Sequence, residues 1–273
     1  MSRTPQSVVR RATQRGFSIV ELSIAMLIAL FLLGGLVTLV MGTRRTSSTQ
    51  TALEQLQDNE RIAMTLIANV VQKAGYFPNP VTQQLSSFNA ETLAGVTMAS
   101  SQVLGGTYSA AAPGDRFAVR FYTPSTDPNS SIINCAGQSN PAPSSAPNPN
   151  LWYTNVFKVG TVNGTKWLQC QVRSSGAGTV ITVNLIPNVT SISVLYGVSS
   201  GAVGTDYSVV RYLNASQMTA ANWLNVTAMK VTLTFLLPAY GTTGGQMMSS
   251  SAPNSTQTFQ RVIPIMSRAG VDT

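Results

Sequence analysis

Glu21 is the residue whose type and position most demand chemistry. It lies four positions into an apolar run from Phe17 to Met41, interrupted otherwise by Ser23, Thr38 and the Gly34-Gly35 pair. A carboxylate within a membrane helix costs about 2.5–3.5 kcal/mol on insertion scales, and such residues mark function by default. One reading places Glu21 near the interface, where it reaches back to water. The other gives it a positive partner within the membrane or within an assembly. Cleavage between Gly16 and Phe17 would create such a partner, a free α-amino group. Helix geometry does not force that amine onto its own Glu21, but a neighbouring subunit shifted along the helix axis would present one. Pairing would neutralise both charges, and truncating either member would leave the other buried and unpaired.

Few other chemistries are open to this chain. Its 273 residues contain no histidine, which removes Ser-His-Asp and Cys-His catalysis, histidine-ligated metals and histidine pH switches. The two cysteines, Cys135 and Cys170, are 35 positions apart, so neither a CxxC pair nor an iron–sulfur spacing exists. Gly160-x-x-x-Gly164-Thr165-Lys166 has the wrong spacing for a phosphate loop and falls in an expected hairpin. Asp115, Asp127 and Asp206 are scattered in polar loops and form no dense calcium loop. No catalytic residue, cofactor or metal is expected, and the chain reads as a structural protein rather than an enzyme.

The net charge of +8 hints at nucleic acid until the charges are placed. Arg3, Arg10, Arg11 and Arg15 all precede the apolar run, and without them 13 basic residues face 9 acidic ones, with no basic run longer than Arg44-Arg45. A nucleic-acid surface needs a clustered basic stripe, so that role is set aside. The apolar run of 25 residues exceeds the roughly 20 that span a bilayer core. By the positive-inside rule, the Arg-rich leader keeps the N-terminus cytoplasmic and the rest of the chain is exported. A secretory signal peptide fits poorly, because the run is too long for an h-region and no A-x-A-like site closes it.

Arg15-Gly16-Phe17-Ser18-Ile19-Val20-Glu21-Leu22 resembles the prepilin cleavage signature of type IV pilins and type II secretion pseudopilins. That signature is a basic leader ending in Gly, then Phe, Ser or Thr, two aliphatics, Glu and Leu, followed at once by an apolar helix. The resemblance implies that a prepilin peptidase cuts after Gly16 and N-methylates Phe17. It also implies that Glu21 neutralises the new N-terminus of an adjacent subunit during assembly. Many major pilins carry a proline in the middle of this helix; here none occurs from Phe17 to Phe77, and Gly34-Gly35 would supply local flexibility instead.

No strong breaker appears before Gly75, so the helix is expected to continue past the membrane, over 17–74, about 87 Å at 1.5 Å per residue. Leu53, Leu56, Ala63, Ile67, Val70 and Ala74 form an apolar stripe, interrupted by Glu60, that would face a core. Gly75, with Pro78 and Pro80 behind it, reads as a left-handed cap and stop. The segment Leu53 to Tyr76 resembles PilW-type minor pilins, through Leu56, Gln57, Asn59, Arg61 and Ala63 and then Ala74-Gly75-Tyr76.

Beyond residue 80 the pattern alternates with period two. Phe117, Val119 and Phe121 alternate with Ala118, Arg120 and Tyr122; Leu168, Cys170 and Val172 follow the same rule. So do Ile181, Val183 and Leu185, then Ile192, Val194 and Tyr196, and most clearly Met229, Val231, Leu233 and Phe235. Asn163-Gly164 is a two-residue hairpin signal, since both positions favour φ > 0. The expectation is an α+β head in which an antiparallel sheet lays its apolar face on the helix stripe. Val194-Leu195-Tyr196-Gly197, Tyr207, Trp223-Leu224-Asn225-Val226 and the 229–235 strand again resemble PilW. In an oxidising periplasm Cys135 and Cys170 read most economically as a disulfide, with two buried thiols as the alternative. Segments 137–150 and 241–255, rich in polar loop-forming residues, read as surface loops.

The expected organisation is a leader at 1–16, a transmembrane helix half at 17–43, an amphipathic half at 44–75 and a periplasmic head at 76–273. The resemblance implies a minor type IV pilin of the bacterial inner membrane that then joins or primes a pilus at the cell surface. Its implied partners are the prepilin peptidase, other major and minor pilins, the inner-membrane assembly machinery and the lipid bilayer, with roles in adhesion and twitching motility. A GspJ-type secretion pseudopilin shares the motif and the α+β head. A membrane-anchored adhesin or binding module that never polymerises would instead keep its N-terminus uncut and tolerate Glu21→Ala.

Overall fold

A computed structural model describes residues 16, 18–77, 88–124, 132–140, 151–175, 178–200, 207–237 and 256–268. The leader, Phe17, Asp127, Asp206 and most of the two loop segments at 137–150 and 241–255 lie outside the described residues. The chain divides into two compact units, Met1–Thr51 and Ala52–Thr273.

A run free of proline and rich in Leu, Ile and Ala makes α1 one helix from Ile19 to Val71. In the first unit it is the span Ile19–Arg44, long and apolar enough to cross a membrane and not buried by any of the described residues. In the second unit its apolar face is covered. Leu56, Ala63, Met64, Ile67, Ala68, Val70, Val71 and Ala74 are buried there, each large side chain contributing roughly 1.5–3 kcal/mol. Leu53, expected in this stripe, is instead 44% exposed, because the cover begins one turn later, at Leu56. The last helical residue is Val71, and a turn to Gly75 completes the stop. Gly75 adopts φ +72°, the left-handed cap. The carbonyls left over at this end are taken up by the far end of the chain: Met266 N–H donates to Gln72 O at 3.2 Å, and the Ser267 hydroxyl donates to Ala74 O.

Among the described residues the head contains two main antiparallel sheets where one was expected. The five-stranded sheet runs β3 (Leu104–Thr107), β4 (Arg116–Thr123), β5 (Leu151–Val162), β6 (Thr165–Ser174) and β7 (Val180–Pro187) in spatial order. β5 and β6 are joined at Asn163-Gly164, whose φ values of 49° and 78° are those the hairpin turn requires. The four-stranded sheet has the order β11 (Thr256–Pro264), β10 (Val226–Leu236), β8 (Val189–Val198), β9 (Arg211–Leu213). Phe117, Val119, Phe121, Phe157, Leu168, Val194, Tyr196, Met229, Val231, Leu233 and Phe235 join the buried helix residues in one apolar cluster.

The second face of the five-stranded sheet is covered as well. A hairpin of β1 (Glu91–Leu93) and β2 (Val96–Met98) lays Leu93, Val96 and Met98 on Ala118 and Val156. Both faces of β4 are therefore closed, and every residue from Phe117 to Thr123 is buried, although alternation had assigned Ala118, Arg120 and Tyr122 to an outer face. On β7 the alternation changes phase. A bulge between the Leu168 and Gln169 pairings moves the inward position to Ile186 and leaves Ile181 exposed at the sheet edge.

Asp115, expected in a polar loop, is buried and ties the β3–β4 turn to β8, accepting from Ser109 N–H and Val194 N–H at 2.8 Å each. Beside it, the Tyr196 hydroxyl donates to Gly105 O at 3.3 Å. Burial first, and Asp115 second, raise the Tyr196 pKa above the ordinary tyrosine range. The fold thus favours the protonated phenol, whereas the unfolded chain ionises it near pH 10. The stability this contributes is complete below about pH 10 and is lost as the pH rises beyond it. Tyr153, also raised by burial, acts in the same direction. Tyr196→Phe should therefore reduce, without abolishing, the fall in urea midpoint between pH 9 and 11; an unchanged slope would show that Tyr196 is not its source.

Candidate functional site

From Ile19 to Thr43 the N-terminal helix presents an apolar surface whose polar residues are satisfied within the helix, with one exception. Ser23 donates to Val20 O at 2.8 Å, Thr38 to Gly35 O at 2.7 Å, and Thr43 to Val40 O at 3.0 Å. Such back-bonding makes a hydroxyl compatible with hydrocarbon surroundings. Glu21 is the exception. It sits in the first turn of α1, exposed, and among the described residues its carboxylate has no hydrogen-bond or ion-pair partner. The positive end of the helix dipole favours an anion here but does not neutralise it. Gly16 is exposed just ahead of the helix, while Phe17 lies outside the described residues. A Cβ on Gly16 would meet nothing within 4 Å. The arrangement can therefore do one thing chemically: offer an unneutralised carboxylate, on an otherwise apolar helix, to a cation supplied from elsewhere.

Cys135 and Cys170 form a disulfide with Cα atoms 6.1 Å apart. It joins the 132–140 segment to β6, and Cys135 N–H also donates to the buried Asn155 side chain at 2.8 Å. Closing a loop of this length contributes about 3–4 kcal/mol on the chain-entropy model.

A second charged constellation lies in the head, on the face of the five-stranded sheet that β1 and β2 cover. Arg120 on β4, Thr154 on β5 and Arg173 on β6 are direct cross-strand neighbours. Glu91 of β1 serves all three. Its Oε2 accepts from Thr154 Oγ1 at 2.6 Å and faces Arg120 Nη2 at 3.4 Å, while its Oε1 accepts from Arg173 Nε at 2.5 Å and pairs with Arg173 Nη2. The Arg120 side chain is 0% exposed and that of Glu91 9%. Arg120 Nη1 donates to Asn89 O at 2.8 Å, but its Nε is buried without an acceptor. Burial holds the Arg120 pKa below its ordinary value, Glu91 opposes that shift, and Arg173 adds to it. Sequence reasoning missed this group, because its members are spread from position 91 to 173 and only sheet register brings them together.

Residues 156–262, from β5 to β11, match the family described as PilW: Type IV Pilus-assembly protein W. Over that stretch the head is similar to PilW-type pilus-assembly proteins. The matched region includes the Val194–Gly197 and Trp223–Phe235 stretches, which carry part of the PilW resemblance in the sequence, whereas Leu53–Tyr76 lies ahead of it. Among solved structures, "Type IV-like pilin TTHA1219 from Thermus thermophilus" is similar at 15% identity and a TM-score of 0.41, over 78% of this chain and 98% of that one. No curated protein matches.

The Glu91 cluster begins outside the PilW-matched region and draws Arg173 from within it. Glu91→Gln would leave the buried Arg120 guanidinium, with the one-third-exposed Arg173 beside it, without a counter-charge; breaking a buried pair in this way costs about 3–5 kcal/mol. Asp58→Asn, which removes the exposed Asp58–Arg61 pair on α1, should cost about 0–1 kcal/mol. Urea denaturation of the full chain in detergent, followed by tryptophan fluorescence, should separate the two variants by that margin. Equal effects would show that the buried cluster adds nothing to stability.

Proposed function

We propose that the chain is a minor type IV pilin, a structural subunit cut by a prepilin peptidase after Gly16 and N-methylated at Phe17. It is held in the bacterial inner membrane by the first half of α1, with the leader cytoplasmic and the head periplasmic, until it enters or primes a pilus. The observation that carries this reading is Glu21, a carboxylate without a partner among the described residues, on the exposed apolar span of α1, in a chain whose residues 156–262 match the PilW family. Pairing with the amine of residue 17 on a neighbouring subunit would neutralise both charges, so the cost of a carboxylate in hydrocarbon favours assembly over isolation. Other pilins supply that amine, and the lateral packing of their helices covers the apolar surface left bare here. No part of this mechanism needs catalysis by the chain itself.

Intact mass and N-terminal sequencing of the protein extracted from its native membrane test the processing step. The expected chain starts at N-methylated Phe17. A chain still starting at Met1, in cells whose peptidase acts on other substrates, would overturn the pilin reading in favour of an anchored binding module.

Glu21→Ala tests assembly separately. The variant should be cut and retained in the membrane at normal levels, yet be recovered at least tenfold less in pili sheared from the cell surface. Normal recovery would remove Glu21 from the mechanism. Finding the unmutated chain in membranes and never in sheared pili would favour the secretion pseudopilus.

A further inference from the structure

The Arg120–Glu91–Arg173 cluster is short of negative charge. Two guanidinium groups share one carboxylate, leaving a surplus of one positive charge, and the buried Arg120 Nε has no acceptor. Each guanidinium carries five N–H donors, so acceptors are scarce as well. The surplus is not sealed in. The Arg173 side chain is 33% exposed, and among the described residues nothing engages its Nη1. It lines a cleft of about 320 Å³ together with Asn89, Glu91, Trp152, Ser174 and Ser175. Trp152 forms one wall and is held edge-on by Phe88 and Tyr122, with ring centroids 6.1 and 5.7 Å away. The Ser175 Oγ accepts from Trp152 N–H at 3.2 Å, which leaves its own proton to donate.

We infer that this cleft is a binding site for a single carboxylate group, received by the free edge of Arg173 with the Ser175 hydroxyl beside it. A planar, two-oxygen anion matches the guanidinium edge in two parallel hydrogen bonds, which a spherical ion cannot do. The volume suits one acidic side chain or a small free acid and excludes a large ligand. A bound carboxylate would restore the charge balance of the cluster, and its field would reach Arg120 through Arg173. The site is independent of the processed N-terminus, so its failure would leave the pilin reading untouched, and the reverse also holds.

Trp152 supplies the readout. The full chain in a non-ionic detergent is titrated at constant ionic strength with the peptide Gly-Ser-Glu-Ser-Gly, its Gln counterpart and sodium acetate, with the peptide ends blocked. The Glu peptide should give a saturable change in tryptophan fluorescence that Trp152→Phe abolishes, and the Gln peptide should bind at least tenfold more weakly. Arg173→Gln should weaken the Glu peptide by at least tenfold, and Arg173→Lys by less, since it keeps the charge but loses the fork. Near-UV circular dichroism checks that each variant is folded. If Arg173→Gln does not fold, the Glu/Gln peptide contrast on the unmutated chain decides. Acetate binding as tightly as the Glu peptide would assign the site to free small acids, and weaker acetate binding to acidic side chains; both outcomes support a carboxylate site. Equal response to Glu and Gln peptides, no saturable response, or an Arg173→Gln titration identical to the unmutated one would each overturn it.

Discussion

A buried guanidinium needs an anion within reach, and in this head that requirement falls on one carboxylate from a three-residue strand. Arg120 sits on β4, one strand in from the edge of the five-stranded sheet, with no exposed surface, and Glu91 reaches it from β1 while also holding Thr154 and Arg173. The β1–β2 hairpin is too short to stand alone. Its place on the sheet rests on this charge cluster and on the small apolar patch of Leu93, Val96 and Met98. With the hairpin in place the sheet has one face against the main core shared with α1 and the four-stranded sheet, and its other face is covered by β1 and β2 at Ala118 and Val156. What holds the hairpin is therefore electrostatic as much as hydrophobic. Remove the carboxylate, and the second face has a charge it cannot bury.

The helix shows the same principle in the opposite sense. Its C-terminal portion packs in the core and closes on a glycine cap, with its last carbonyls received by the chain's own end. From Ile19 to Thr43 its N-terminal portion keeps its apolar side chains exposed and satisfies its hydroxyls by back-bonding, so that Glu21 is left over there. A surface of this kind is stable only in lipid or against other apolar helices, because water penalises it by roughly 25 cal/mol per Å². Glu21 on the helix and the half-open Arg173 of the head are both charges within reach of whatever the protein meets.

Much of this could be read without coordinates. The apolar run, the position of Glu21 within it, the Gly75 stop, the Asn163-Gly164 hairpin and the 229–235 strand all depend on interactions a few residues apart, and local rules suffice for them. Alternation also identified the strands of β4, β6, β7 and β8 correctly as strands. It failed where a second layer arrived. On β4 it took Arg120 for an outward residue, since nothing near position 120 says that residues 91–98 will fold over it. On β7 it carried one phase through a bulge that only the pairing with β6 creates.

The chain by itself determined the element types, the membrane-length apolar helix and the carboxylate placed within it, because periodicity and turn chemistry are local in sequence. Only the tertiary structure decided that there are two main sheets and a covering hairpin, that Asp115 is a buried clamp rather than a loop acid, and that Glu91, Arg120, Thr154 and Arg173 form one site. Strand order and register set those contacts. They arise from how nonlocal surfaces fit together, and nothing in the spacing of the residues along the chain encodes it.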